Sequence, residues 1–102
     1  MPKTAEEGKA FMQFQIGENR LYAVDEQGKL LAEATFPFVK DGVVEINHTF
    51  VDVSLRGQGV AGRMLEAVAA HLRERGWKAV PTCSYALKWF SDHPEYGDIL
   101  TM

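Results

Sequence analysis

What the chain lacks narrows its function. Among 102 residues there is one cysteine, Cys83, so no internal disulfide can form and an oxidising compartment is not favoured. No apolar run approaches the roughly 18 residues that a membrane helix needs. The opening Met1-Pro2-Lys3-Thr4-Ala5-Glu6-Glu7-Gly8-Lys9 has neither the apolar core nor the cleavage site of a secretory leader. A cytoplasmic protein is therefore expected, with no membrane contact. Basic charge is also in short supply: 11 Lys and Arg against 14 Asp and Glu leave a net charge of −3. Arg56, Arg63, Arg73 and Arg75 are interleaved with Glu66 and Glu74, which argues against a nucleic-acid surface. His48, His71 and His93 show no i, i+3 or i+4 pairing, and the cysteine stands alone, so no metal site is expected.

What is present is the composition of one globular domain, 46% hydrophobic and 25% charged. Residues 1–9 read as a frayed tail and 10–102 as a single domain. Phe11, Phe14 and Ile16 begin a strand-like stretch, and a turn at Gly17-Glu18-Asn19 leads to a second strand over Arg20–Val24. Asp25-Glu26-Gln27-Gly28 is another turn. Lys29–Val39 reads as a third strand, Asp41-Gly42 as a tight hairpin turn, and Val43–Val53 as a long central strand. The first half is thus expected to be an antiparallel meander of about four strands.

Beyond Val60 the period changes. Val60, Met64, Leu65, Val68 and Leu72 form the stripe of an amphipathic helix, with Gly76 as its C-terminal cap. Trp77–Thr82 reads as a strand and Ser84–His93 as a second helix stopped by Pro94. Strand, helix, strand implies a crossover to a parallel strand. The expected fold class is α+β with a mixed sheet: a meander followed by strand-helix-strand-helix.

The most informative stretch is Val51-Asp52-Val53-Ser54-Leu55-Arg56-Gly57-Gln58-Gly59-Val60-Ala61-Gly62. A strand running through glycines into a helix start is an anion site, because the first helical N–H groups have no intrahelical acceptor and glycines allow close approach. Gly57, Gly59 and Gly62 satisfy GxGxxG, but the acid expected about 20 residues later falls near Pro81-Thr82-Cys83, and only 40 residues follow Gly62. A nucleoside-triphosphatase loop needs Gly-Lys-Ser/Thr, where this chain has Gly62-Arg63-Met64.

A third reading fits. Arg56-Gly57-Gln58-Gly59-Val60-Ala61 resembles the Arg/Gln-x-x-Gly-x-Gly/Ala signature of the GNAT superfamily of N-acetyltransferases. The segments Asn47-His48-Thr49, Val80-Pro81-Thr82-Cys83-Ser84-Tyr85 and His93-Pro94-Glu95-Tyr96 are similar to those of its small single-domain members, called YjdJ-type or NATD-like. The likeness spans roughly residues 43–100 and departs at Leu55 and at Ser84, where Cys-Pro-Tyr becomes Cys83-Ser84-Tyr85. The resemblance implies a minimal GNAT fold that binds acetyl-coenzyme A. Arg56, Gly57, Gln58, Gly59, Val60 and Ala61 would cradle the pyrophosphate, and Val51 and Val53 would meet pantetheine through their main chain.

Acetyl transfer to an amine needs a base, a polarising donor and an acid for the departing thiolate. Glu45 stands where the resemblance implies a general base. His48 is a second candidate, turned inward beside Thr49. Alternation places Glu45 and His48 on opposite faces unless a bulge intervenes. Cys83, between a strand end and a helix start that favours the thiolate, would carry acetyl, line the thioester pocket or be an inert buried thiol. By resemblance Tyr85 would protonate the departing thiolate, with Tyr96 as a second donor; Trp89 and Phe90 read as core. Two functions remain open: an N-acetyltransferase acting on a primary amine of a small molecule or protein, as monomer or homodimer, and a non-catalytic module that senses acetyl-coenzyme A.

Overall fold

Two short sheets share one core with two helices. The computed structural model describes residues 13–101; the expected tail at 1–9, and Phe11, lie outside them. The strands are β1 (Gln15–Gly17), β2 (Arg20–Val24), β3 (Leu30–Thr35), β4 (Phe38–Lys40), β5 (Val43–Ile46), β6 (His48–Val51) and β7 (Lys78–Pro81). The helices are α1 (Val60–Arg75) and α2 (Ser84–Asp92), with 3-10 turns at Val53–Leu55 and Pro94–Ile99. One sheet has the order β1-β2-β3-β6, all antiparallel; the other has the order β4-β5-β7, with β7 parallel to β5.

Local chemistry accounts for the turns. Asp25 accepts the N–H groups of Gln27 and Lys29, both at 2.8 Å, and Gly28 takes φ +87°. Gly42, at φ +73°, closes the β4–β5 hairpin. The α1 stripe is as its spacing predicts: Val60, Met64, Leu65, Val68 and Leu72 are buried, and Gly76 ends the helix in the left-handed region. Opposite them on the strands stand Leu21, Ala32, Ala34, Val44, Ile46 and Ala79. The small Ala32 and Ala34 let α1 lie close over β3. Truncating a fully buried side chain there, such as Leu65→Ala, would cost about 2–5 kcal/mol.

Three expectations about the strands need correction. Lys29–Val39 is not one strand. It breaks at Phe36-Pro37, where Asn19 O accepts the Phe36 N–H at 2.9 Å, the Asn19 amide donates to Phe36 O at 2.8 Å, and Pro37 has no N–H to offer. Val43–Val53 is not one central strand either. It breaks at Asn47, whose N–H turns to Thr35 O at 3.3 Å, and it ends at Val51. β5 is central in the small sheet, while β6 is an edge of the larger one. The meander of four strands is therefore six short ones, with the β4–β5 hairpin budding out between β3 and β6.

Candidate active site

The break at Asn47 opens the site. Up to Ile46 the chain is paired with β7, and Ile46 O closes that pairing by accepting the N–H groups of Thr82 (3.0 Å) and Cys83 (3.3 Å). Beyond it, among the described residues, β6 pairs only with β3 and its other edge is open. The Asp52 N–H donates to Leu31 O at 2.8 Å, so alternation turns the main-chain groups of Thr49 and Val51 towards the open edge. Val51 O is met there by Arg56 Nε at 3.5 Å.

A 3-10 turn links this edge to α1. Asp52 caps the turn, accepting the N–H of Ser54 at 3.1 Å and its hydroxyl. Those two bonds, the hydroxyl foremost, hold the Asp52 carboxyl below the usual carboxylate range. Gln58 donates to Ser54 O at 3.3 Å and ties the loop down. Gly57 and Gly59 take φ +82° and +77°, and a Cβ on either would enter open space. Arg63 N–H closes the first intrahelical bond onto Gly59 O at 3.1 Å, so the N–H groups of Val60, Ala61 and Gly62 have no intrahelical acceptor.

Edge, loop and helix start enclose a cleft of about 450 Å³. Thr49, Phe50 and Val51 form one wall, Leu55, Arg56, Gly57 and Gly59–Gly62 the floor, and Tyr85 of α2 the far side. A second hollow of about 710 Å³ adjoins it, sharing Gly59, Gly62 and Tyr85 and adding Gln58, Arg63, Glu66, Trp89, His93 and the Lys88–Asp92 ion pair.

Of the residues singled out from the sequence, Val51, Arg56, Gly57, Gly59, Val60, Ala61 and Tyr85 converge on the first cleft, and Gln58 faces the second. Val53 is not on the strand: it opens the 3-10 turn, is 74% exposed, and gives its carbonyl to the Arg56 N–H at 3.3 Å. Cys83 caps α2, its sulfur accepting the Ala86 N–H at 3.3 Å and lying 3.7 Å from the Thr49 hydroxyl. Between Glu45 and His48 the structure has a break into two strands rather than a bulge within one. Val44 and Ile46 are buried, and Thr49 and Val51 pair with the buried Ala34 and Ala32, so Glu45 and His48 share the opposite face. Glu45 accepts the Thr82 hydroxyl at 2.7 Å. His48 does not turn inward; its side chain is 51% exposed, with Nε2 3.3 Å from Glu33 Oε1.

Tyr96 lies apart from the cleft, against Trp89 and under the Arg73 guanidinium; burial, then the charge of Glu66, push its phenol up. Trp89 and Phe90 are buried as expected. Sequence reasoning passed over Thr49, Phe50 and Leu55 as lining and Thr82 and Glu33 as partners. The first three sit in or beside the quoted motifs. The last two become visible only through strand register.

The geometry matches a known family. Residues 20–99 match the model of the GCN5-related N-acetyltransferases. A GCN5-like protein of Staphylococcus aureus has a solution structure that superposes with a TM-score of 0.74 at 36% identity, covering 88% of each chain. The ribosomal-protein-S18-alanine N-acetyltransferase of Escherichia coli (TM-score 0.58, 20% identity, 76% of this chain and 53% of that one) has the same fold. So does the Escherichia coli GNAT protein YhbS, solved with CoA (TM-score 0.56, 21% identity, 76% and 44%). The chain spans about half the length of these last two. No functionally curated protein matches it. The chain belongs to the GCN5-related N-acetyltransferase family and is an N-acetyltransferase.

Proposed function

We propose that the cleft binds acetyl-coenzyme A and that the enzyme acetylates a primary amine by direct transfer. The observation that carries this is the continuity of the open β6 edge with the glycine-lined start of α1. Pantetheine is an amide-bearing arm that can add to a strand edge, and pyrophosphate is the anion that unpaired helical N–H groups and one guanidinium accept. Gly57 and Gly59 leave room for it, since a Cβ on either would project into unfilled space. The 3′-phosphoadenosine end then runs into the adjoining hollow beside Arg63 and Lys88. In this reading the thioester lies at the end of the cleft between Tyr85 and Thr49, whose hydroxyl is 3.7 Å from the Cys83 sulfur.

In this reading the amine approaches from the face that carries Glu45 and His48. His48, next in sequence to the cleft-lining Thr49 and half exposed, takes the amine proton as nitrogen attacks the thioester carbon. Tyr85 gives its proton to the departing thiolate. Cys83 caps α2, its sulfur engaged by the Ala86 N–H. Glu45, held by Thr82, lines the approach. We also propose a single domain over residues 10–102 in a cytoplasmic setting; among the described residues one buried cluster joins both sheets to both helices, and Cys83 is a free thiol.

Calorimetric titration with acetyl-coenzyme A tests the cleft: heat of binding is expected, and none at millimolar ligand would sink the assignment. A time course of thiol release against a panel of amines tests transfer. Binding with release no faster than buffer for every amine would overturn direct transfer to a primary amine.

A further inference from the structure

Glu33 lies outside the cleft, yet its carboxylate is committed on both oxygens. The strand register explains how. Glu33 stands on β3 between Tyr22 of β2 and Phe50 of β6, and Arg20 and His48 both stand opposite Thr35, two residues further along the same strand. All of these side chains share the face away from α1, and Arg20 and His48 reach Glu33 diagonally from the two sides. Arg20 Nε lies 2.5 Å from Oε2, and its guanidinium rests 3.9 Å above the Tyr22 ring. His48 Nε2 lies 3.3 Å from Oε1. The Glu33 side chain keeps only 18% of its exposure, much less than the 51% of His48, so a comparatively shielded carboxylate holds one edge of an open imidazole.

We infer that Glu33 is a positioning residue for His48, held in turn by Arg20 on Tyr22. The approach at 3.3 Å is an ion-pair contact, and a carboxylate, which only accepts, favours hydrogen on the imidazole nitrogen facing it. That leaves neutral His48 as the Nε2–H tautomer with a lone pair on Nδ1, the nitrogen turned away from Glu33 and able to take a proton from an ammonium or an attacking amine. The proton balance is simple. Nδ1 gains one proton as the amine nitrogen forms its bond to the acetyl carbon, the C–S bond breaks and its thiolate takes the Tyr85 proton, and the imidazolium is stabilised by the Glu33 charge beside Nε2. This rests on the reading of His48 as the base. As a mere exposed ion pair the same contacts would contribute little to stability.

The test pairs a spectroscopic readout with kinetics on the full chain. Ring ¹⁵N spectra of His48 report its tautomer whether or not the enzyme turns over. With the ring neutral, wild type is expected to show the Nε2–H form alone and Glu33→Ala a mixture of the two tautomers, with the melting temperature little changed. Acetyl transfer should fall about tenfold in kcat for Glu33→Ala with KM for acetyl-coenzyme A unmoved, and the same change should have no further effect on a His48→Ala background. Glu33→Gln, whose amide oxygen can still accept, should retain the tautomer. An unchanged tautomer in Glu33→Ala would overturn the inference, as would an equal loss of kcat with and without His48. If His48→Ala retains full turnover while the tautomer responds to Glu33, the base assignment fails and the positioning contact stands.

Discussion

Tyr85 in the first turn of α2 and Cys83 at its N-cap stand at one end of the site, and their substitution should separate two chemistries. Tyr85 is 41% exposed and lines both hollows, so its hydroxyl is free to meet a leaving thiolate. Tyr85→Phe removes that proton and little else. It is expected to lower kcat on the order of a hundredfold while calorimetry gives a nearly unchanged acetyl-coenzyme A affinity; unchanged kcat would remove Tyr85 from the chemistry. Cys83 has its sulfur on the Ala86 N–H. A serine there is a better cap than cysteine and a poor replacement for a thiolate nucleophile. Cys83→Ser should therefore keep turnover close to wild type. A drop of several orders of magnitude, with an acetylated Cys83 seen by mass spectrometry in the native enzyme, would replace direct transfer by a covalent route.

At the scale of elements, the glycine loop and α1 form the anion site, and two substitutions of equal size can test its charge. Gly59 has φ +77°, which Asn and Asp tolerate better than other side chains, and neither would meet an atom within 4 Å at its Cβ. Two unit charges about 4 Å apart at an effective dielectric of about 20 interact by about 4 kcal/mol. Gly59→Asp should therefore bind acetyl-coenzyme A at least about tenfold more weakly than Gly59→Asn. Equal affinities would mean that no phosphate sits at this turn. The loop and α1 were legible in the sequence because their information is local: a 3.6-residue stripe, a capping glycine and a strand-to-helix glycine pattern. The sheet was less so. Whether the chain breaks at Pro37 and Asn47 depends on the carbonyls of Asn19 and Thr35, 17 and 12 residues away, which capture the N–H groups of Phe36 and Asn47. The same break turns Glu45 and His48 to one face and brings Glu33 to His48, so the base side of the site was hidden for the same physical reason.

The whole molecule turns on the seam between its two sheets, and a titratable ring sits in it. His71, on the buried face of α1, is 9% exposed and packs tilted against Phe36, where the chain crosses from one sheet to the other, and edge-on to Trp77 before β7. Burial, and then the charge of Arg75, lower its pKa below 6.5, with Glu74 opposing. The unfolded chain therefore binds this proton more readily than the folded one. Stability from neutral His71 is complete above about pH 6.5, is lost progressively as pH falls through that value, and levels off below the depressed folded pKa. Asp52 and Asp98, whose carboxyls are lowered by Ser54 and Arg73, stay ionised across this range and lose their contribution only in stronger acid. Thermal melts followed by circular dichroism should accordingly show a falling midpoint between pH 7.5 and 5.5. In His71→Phe, which keeps an aromatic ring against Phe36 and Trp77 but cannot titrate, that part of the slope should disappear. An identical slope in the variant would place the acid sensitivity elsewhere than in the seam.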